Sequence, residues 1–413
     1  METTRIVILG AGTGGTIMAN RLRKRYAVDQ ASITIVDEND QHIYQPGLLF
    51  VPFGIYQPED IVRPRGKQLH DDIRYVQKAI SSVDAENNRV ELDGETLDYD
   101  LLIIATGTRI LPHETDGLTG PGWQTRMFDF YTLEGATALS KAMQDFDEGT
   151  LAINIVDMPI KCPVAPIEFA FLADWYFHEK GNRDRVKLKF VTPLDGAFTK
   201  PIASRQLNGM LEEKGVELIT EFNTGEVDGT AGKLISYDER EVDFDLLVSI
   251  PLHGGAAYVD DSPGLGDELG FINVDIHTLQ STHKKNVFAI GDAAGVPTSK
   301  AGSVTHFEAD ILCDNIDRFL KGQLLEGQFD GHANCFIETG FQKGLLIDFN
   351  YEQEPVPGKF PFAGIGPMPL LKESRVNHLG KLMFHWFYWH MLLPGRPIPG
   401  VGSAMSTAGK DIS

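Results

Sequence analysis

The sequence predicts an α/β chain organised around two parallel sheets, with a C-terminal segment of different character. Three observations predict it. Arg5-Ile-Val-Ile-Leu9 is a nearly all-apolar run that passes directly into Gly10-Ala-Gly-Thr-Gly-Gly15 and then a helical pattern from Thr16 to Lys24. A second apolar run, Leu151 to Val156, is again followed by a turn and a helical stretch. Near the end, Lys381 to Pro394 concentrates aromatic residues as no other segment does. Apolar runs of this kind, closed by turns, are what strands covered on both faces of a parallel sheet look like.

At 413 residues the chain is too long for one ordinary core, so two or three domains are expected. Its 42% hydrophobic and 23% charged residues are those of a globular protein. The formal charge of −21, from 37 basic and 58 acidic residues, argues against nucleic acid as a partner. A salty habitat and plain solubility both explain such a surface, and solubility suffices. Met1 to Thr4 are polar and Ile6 to Leu9 form a strand, so no secretory signal is visible. No apolar run reaches the roughly 18 residues that a spanning helix needs. The three cysteines, Cys162, Cys313 and Cys335, form no CxxC pair, and no metal site is signalled.

In the first βαβ unit Gly10 permits the tight turn, Gly12 lets backbone approach a pyrophosphate, and Gly15 lets helix and strand pack closely. The anion then sits at the positive end of the helix. The next strand, Ser32 to Val36, ends at Asp37, where an acid accepts ribose hydroxyls. Two further strands end in Ala105-Thr106-Gly107 and in Gly291-Asp292. These resemble the second and third FAD motifs of flavoproteins with two dinucleotide-binding domains, which implies FAD rather than NAD at this site and a Rossmann-like fold for both domains. Lys300 follows the third motif. It is either a partner for the flavin N1/O2 edge or a solvated surface lysine.

The turn of the second unit, Asp157-Met-Pro-Ile-Lys-Cys-Pro-Val-Ala-Pro-Ile-Glu168, contains no glycine. Side chains and the fixed φ of Pro159, Pro163 and Pro166 bar the approach a pyrophosphate requires. Val186 to Val191 and Phe244 to Ile250 read as further strands of this domain, so the expectation is a fold kept and a nicotinamide site lost.

Cys313 falls on the apolar face of a helical stretch from Phe307 to Ile316 and reads as a buried hydrophobe. Cys162 occupies the proline-rich turn, a poor place for a core thiol, and Cys335 opens the strand-like segment Cys335-Phe-Ile-Glu-Thr-Gly340. Cys162-Pro-Val-Ala-Pro-Ile-Glu168, that segment and the C-terminal aromatic stretch together resemble the sulfide:quinone oxidoreductase family over nearly the whole chain. The resemblance implies sulfide oxidation to polysulfide or sulfur at a cysteine pair beside the flavin, with two electrons passed to a membrane quinone. It places Cys335 nearest the flavin C4a, Cys162 as its partner, Glu168 as a nearby proton acceptor and Phe336 at the quinone site on the other flavin face. Glu168 as an ordinary acid of a helix N-terminus is the competing reading. In such a scheme bisulfide attacks a disulfide or polysulfide bridge, leaving a persulfide and a thiolate.

Many members of that family carry a third cysteine shortly after the Ala-Thr-Gly strand. Gly122 to Phe130 here has none, which implies two-cysteine chemistry, non-covalent FAD, and room for a different sulfur substrate. His113 and His253 are the candidates for the family's cavity histidines.

The apolar run starting at Lys381 extends about 18 Å as a helix, short of the roughly 30 Å hydrocarbon core. Trp386, Tyr388 and Trp389 suit a membrane interface, and Lys381 and Arg396 suit headgroups. The reading is a peripheral, monotopic membrane protein with Phe384 and Phe387 as quinone-pocket walls. A capping helix or a contact within a homo-oligomer is the alternative. The expected domains are 1–110 and 256–325 for FAD, 111–255 for the second Rossmann-like unit, and 326–413 for the quinone site and interfacial helix. Competing functions are a type-2 NADH:quinone oxidoreductase, the flavoprotein subunit of a flavocytochrome c sulfide dehydrogenase, and an FAD-bearing scaffold or redox sensor.

Overall fold

The computed structural model describes residues 3–362, 366–398 and 400–412. Thr4–Leu9 forms the middle strand of a five-stranded parallel sheet, flanked by Ala31–Asp37 on one side and Leu101–Ile104 on the other. Arg74–Gln77 and Val287–Ala289 complete its edges. The register pairs Leu9 with both Val36 and Ile104, so three strand ends finish at one level. Ligands of open parallel sheets bind at that end. The second sheet, also parallel, runs Met127–Phe128, Leu246–Ile250, Gly149–Ile155, Val186–Val191, Val216–Ile219. Ile153, Leu247 and Val248 are wholly buried, as the uninterrupted apolar runs require.

The antiparallel pair Ala333–Gly340 and Lys343–Phe349 lies between the helices Ala165–Lys180 and Arg375–Phe387. The strand Ala333–Gly340 therefore touches the second sheet's helix on one side and the C-terminal segment on the other.

That C-terminal segment is docked onto the first domain. The Tyr388 hydroxyl is 2.7 Å from both Thr13 Oγ1 and His42 Nε2, and Asn20 Nδ2 donates to the Leu393 carbonyl at 2.8 Å. Tyr388, Trp389, Leu392 and Leu393 are buried, each worth about 1.5–3 kcal/mol. Tyr388 and Trp389 therefore do not lie in a membrane interface as the aromatic composition suggests. The helix Arg375–Phe387 passes into a π-helical turn, Tyr388–Leu392, in which Tyr388, Trp389 and Leu392 face the core. Among the described residues no helix is long and apolar enough to cross a membrane.

Candidate active site

The phosphate turn shows why its glycines differ. A Cβ on Gly15 would stand 1.8 Å from the Gly10 carbonyl oxygen, and one on Gly10, at φ +92°, would stand 2.5 Å from the Ala105 oxygen. Those two glycines hold backbone against backbone. A Cβ on Gly12 would meet nothing within 4 Å, because Gly12 faces a cavity. The helix Thr13–Arg25 starts there with no side-chain cap, leaving its first amides free for an anion. Asp37 Oδ2 accepts from the Ala11 amide at 2.7 Å and pairs with Arg65 at 3.3 Å, which fixes its carboxylate at the cavity edge.

The cavity encloses about 500 Å³, within the range of small-molecule sites. Its wall runs from Gly10, Gly12 and Asp37 past Thr106, Gly107, Gly291 and Asp292 to Cys162 and Cys335. Gly107 and Gly302 also face open space. A glycine cradle, an uncapped helix start and an acid at the second strand end fit the pyrophosphate and ribose of a dinucleotide. Burial raises the Asp292 carboxyl, with Lys300 and Lys161 pulling the other way. Lys300 is not a surface lysine: it is 8% exposed, its Nζ donates to the carbonyls of Asp292 and Ala294, and it lies over the Phe271 ring. Burial lowers its pKa.

Cys162 sits in the turn before the helix Ala165–Lys180 at φ +51°, a left-handed conformation costly for a residue with a Cβ. The turn is held there by its amide, which donates to the Lys300 carbonyl at 2.7 Å, and by its carbonyl, which accepts from Ala165. This ties the second unit's turn to the third FAD motif. Ile160 and Val164 are buried in the same turn, filling it with side chains rather than leaving backbone open to a pyrophosphate. Burial pushes the Cys162 thiol up to about 11, with Glu168 adding to it. The Cys335 thiol is raised further, by burial and then by Cys162. Cys313 lies elsewhere, buried 4.0 Å from the Met18 sulfur.

Glu168 is inaccessible to solvent, and its Oε1 accepts from the Glu338 amide at 2.7 Å and lies 2.8 Å from Lys381 Nζ. Oε2 has no hydrogen-bond partner among the described residues. Burial raises the carboxyl against the pull of Lys381. Burial alone would lower Lys381, but Glu168 outweighs it and holds the ammonium charged. Lys381 thus belongs to the cavity and not to a lipid headgroup, a correction that sequence position alone could not supply. Its other acceptor is the Phe336 carbonyl at 3.1 Å. Phe336, Phe384 and Phe387 all line the cavity, and Gly380 leaves room for the Phe336 ring, which a Cβ would meet at 2.8 Å.

Of the two histidines, His113 is on the surface beside Glu114. His253 is buried against Tyr131 with Nε2 unpartnered among the described residues, and burial lowers it to about 3. The segment lacking a third cysteine leads to Phe130 and Tyr131 at the cavity wall. Lys161, whose Nζ donates to Gln45 at 2.8 Å beside Cys162, carries no sequence signal beyond its neighbour.

The two parallel sheets and the glycine cradle form a flavoprotein dinucleotide-binding fold, with two thiols on the same cavity. The pyridine nucleotide-disulphide oxidoreductase family model matches residues 4–154, and the cofactor is FAD. Within that fold the chain is similar, over nearly its whole length, to sulfide:quinone oxidoreductases. It is 29% identical to the mitochondrial sulfide:quinone oxidoreductase of Dictyostelium discoideum over 401 residues, 96% of this chain and 87% of that one. The sulfide:quinone oxidoreductase structure from Aquifex aeolicus superposes with a TM-score of 0.79 at 19% identity, covering 95% and 92% of the two chains, which speaks for the fold. A type II NADH:quinone oxidoreductase of Staphylococcus aureus is 27% identical over 388 residues, 87% of this chain and 92% of that one. The resemblance read from the Cys162 and Cys335 motifs is borne out by the near-full-length similarity.

Proposed function

We propose that this chain oxidises hydrogen sulfide at Cys162 and Cys335 and passes two electrons to a membrane quinone. The observation that carries the reading is that both thiols line the cavity that begins at the Gly10–Gly12 cradle. FAD, when bound, supplies the two-electron exchange between sulfur and quinone. Gly10, Gly12, Asp37, Thr106, Gly107, Gly291 and Asp292 would hold it, with Lys300 behind Asp292.

The chain's own groups divide the remaining work. Hydrosulfide attacks a sulfur bridge between the two cysteines, so that one S–S bond forms, one breaks, and a thiolate leaves. That thiolate is costly in so buried a place, and the uncapped start of the helix Ala165–Lys180 together with Lys161 and Lys381 supplies compensating positive charge. Glu168, electrostatically close to both thiols and in contact with Lys381, takes the hydrosulfide proton through its free oxygen. Successive residues of a strand face opposite ways, so Cys335 and Phe336 serve opposite sides of the site, sulfur on one and quinone on the other.

Val376, Leu379, Met383 and Trp386 form an exposed apolar stripe on the helix Arg375–Phe387, at the spacing of one helical face. This stripe, rather than Tyr388 and Trp389, is the surface we assign to the bilayer, beside the Phe384–Phe387 wall through which a quinone enters. The NADH reading is disfavoured by the glycine-free second turn. Anaerobic reduction of the flavin by sulfide and its reoxidation by a soluble quinone test the proposal, and reduction by NADH in place of sulfide contradicts it.

A further inference from the structure

Proton stoichiometry exposes a demand that the site described so far does not meet. Hydrosulfide gives up two electrons and one proton as its sulfur joins the chain, while a quinone takes two electrons and two protons to become a quinol. One proton per turnover must therefore enter from solvent, and Lys381, which donates to the Phe336 carbonyl, and its partner Glu168 have little access to it: their side chains are 11% and 0% exposed.

The groups behind that pair lead outward. Glu338 shares a strand face with Phe336, two residues away, and its amide already anchors Glu168. Its carboxylate Oε2 lies 2.9 Å from His378 Nδ1. His378 and Lys381 are one helical turn apart on the helix that packs over this strand. Side-chain exposure rises along the series, from none at Glu168 to 4% at Glu338 and 20% at His378. Besides His378, the charged groups felt by Glu338 are Glu168 across the strand and Lys381 on the helix.

We propose that His378 and Glu338 form the conduit that carries the second quinone proton from solvent to Lys381. It rests on the quinone reading above. Lys381 gives its proton to the quinone oxygen and is refilled from the Glu338 carboxyl. Glu338 is refilled from His378 Nδ1, and His378 from water through Nε2. Burial raises the Glu338 carboxyl above its ordinary value, which suits a group that must hold a proton between deliveries. Neither residue touches substrate or cofactor; both act through Lys381.

The test is His378→Asn, which keeps a hydrogen-bonding side chain but cannot shuttle a proton. Holoenzyme is supplied with sulfide and decyl-ubiquinone, and a pH-indicator dye reports proton uptake beside the flavin spectrum. Sulfide reduces the flavin at the wild-type rate in the variant. Turnover falls roughly tenfold, dye response lags behind flavin reoxidation, and added imidazole restores both. Turnover within twofold of wild type overturns the conduit, and so does a loss that imidazole leaves unrepaired, since that marks a structural role. A wild-type flavin that sulfide reduces but quinone cannot reoxidise is a different result, which overturns the quinone reading itself.

Discussion

Lys381 Nζ lies 2.8 Å from Glu168 Oε1, joining the C-terminal helix to the first turn of the helix Ala165–Lys180 inside the protein. A buried ion pair is weak as a source of net stability, yet breaking it leaves a charge without compensation, at a cost of about 3–5 kcal/mol. Lys381→Met should therefore be destabilised in a pH-dependent way. Burial already holds Glu168 above the ordinary carboxyl value of 4.5, and loss of the ammonium raises it further. A raised carboxyl pKa favours the protonated folded form, so the deficit is small below pH 4.5 and grows as pH rises toward the folded value. Urea denaturation at pH 5 and pH 8 measures the difference. Equal deficits at the two pH values contradict the pairing.

Gly12 and Gly15 should fail differently. Gly12→Ala adds a methyl to open cavity space, so the protein folds normally but loses FAD affinity more than about tenfold. Gly15→Ala drives Cβ into the Gly10 carbonyl and costs at least about 1–3 kcal/mol of stability. Thermal melts of the apoproteins, with FAD titrations, separate the two.

The thiols should alkylate in an order set by access. Cys162 is half-buried at the cavity, whereas Cys335 and Cys313 are buried. With its pKa near 11, the Cys162 thiolate fraction rises about tenfold per pH unit through pH 9, and the rate of iodoacetamide labelling should follow without a plateau. Mass spectrometry of the reduced protein reads both the order and the slope. Cys162→Ser and Cys335→Ser should abolish sulfide turnover, while Cys313→Ser, away from the cavity, should turn over like wild type.

The outer stripe and the buried aromatic cluster of the C-terminal segment should likewise part company. Leu379→Asp combined with Trp386→Asp should abolish vesicle binding while leaving activity with a soluble quinone intact, because both side chains are exposed and neither lines the cavity. Trp389→Ala should instead cost about 3–5 kcal/mol in stability, since the ring is packed beneath Arg63 and against His42. Vesicle flotation and thermal melts report the two effects.

Much of the fold was legible because it is encoded locally. The Gly10–Gly15 turn and its flanking strands are contiguous, and Val186–Val191 forms a strand over the residues its apolar pattern marks. The FAD motifs were legible for the same reason. The C-terminal segment misled because composition reports that a helix is apolar and aromatic but not what covers it. Tyr388 is satisfied by Thr13 and His42, and Lys381 by Glu168, partners far away in sequence that no local pattern announces. Lys300 was open between two readings, and its burial and carbonyl partners exclude the solvated surface lysine.

The central claim is tested most directly by mixing holoenzyme anaerobically with sulfide, following the oxidised-flavin absorbance, and then adding decyl-ubiquinone. The account predicts bleaching by sulfide, recovery with the quinone, no bleaching by NADH, and a flavin that stays oxidised in Cys335→Ser. A flavin indifferent to sulfide, or one bleached at the wild-type rate in Cys335→Ser, would contradict it.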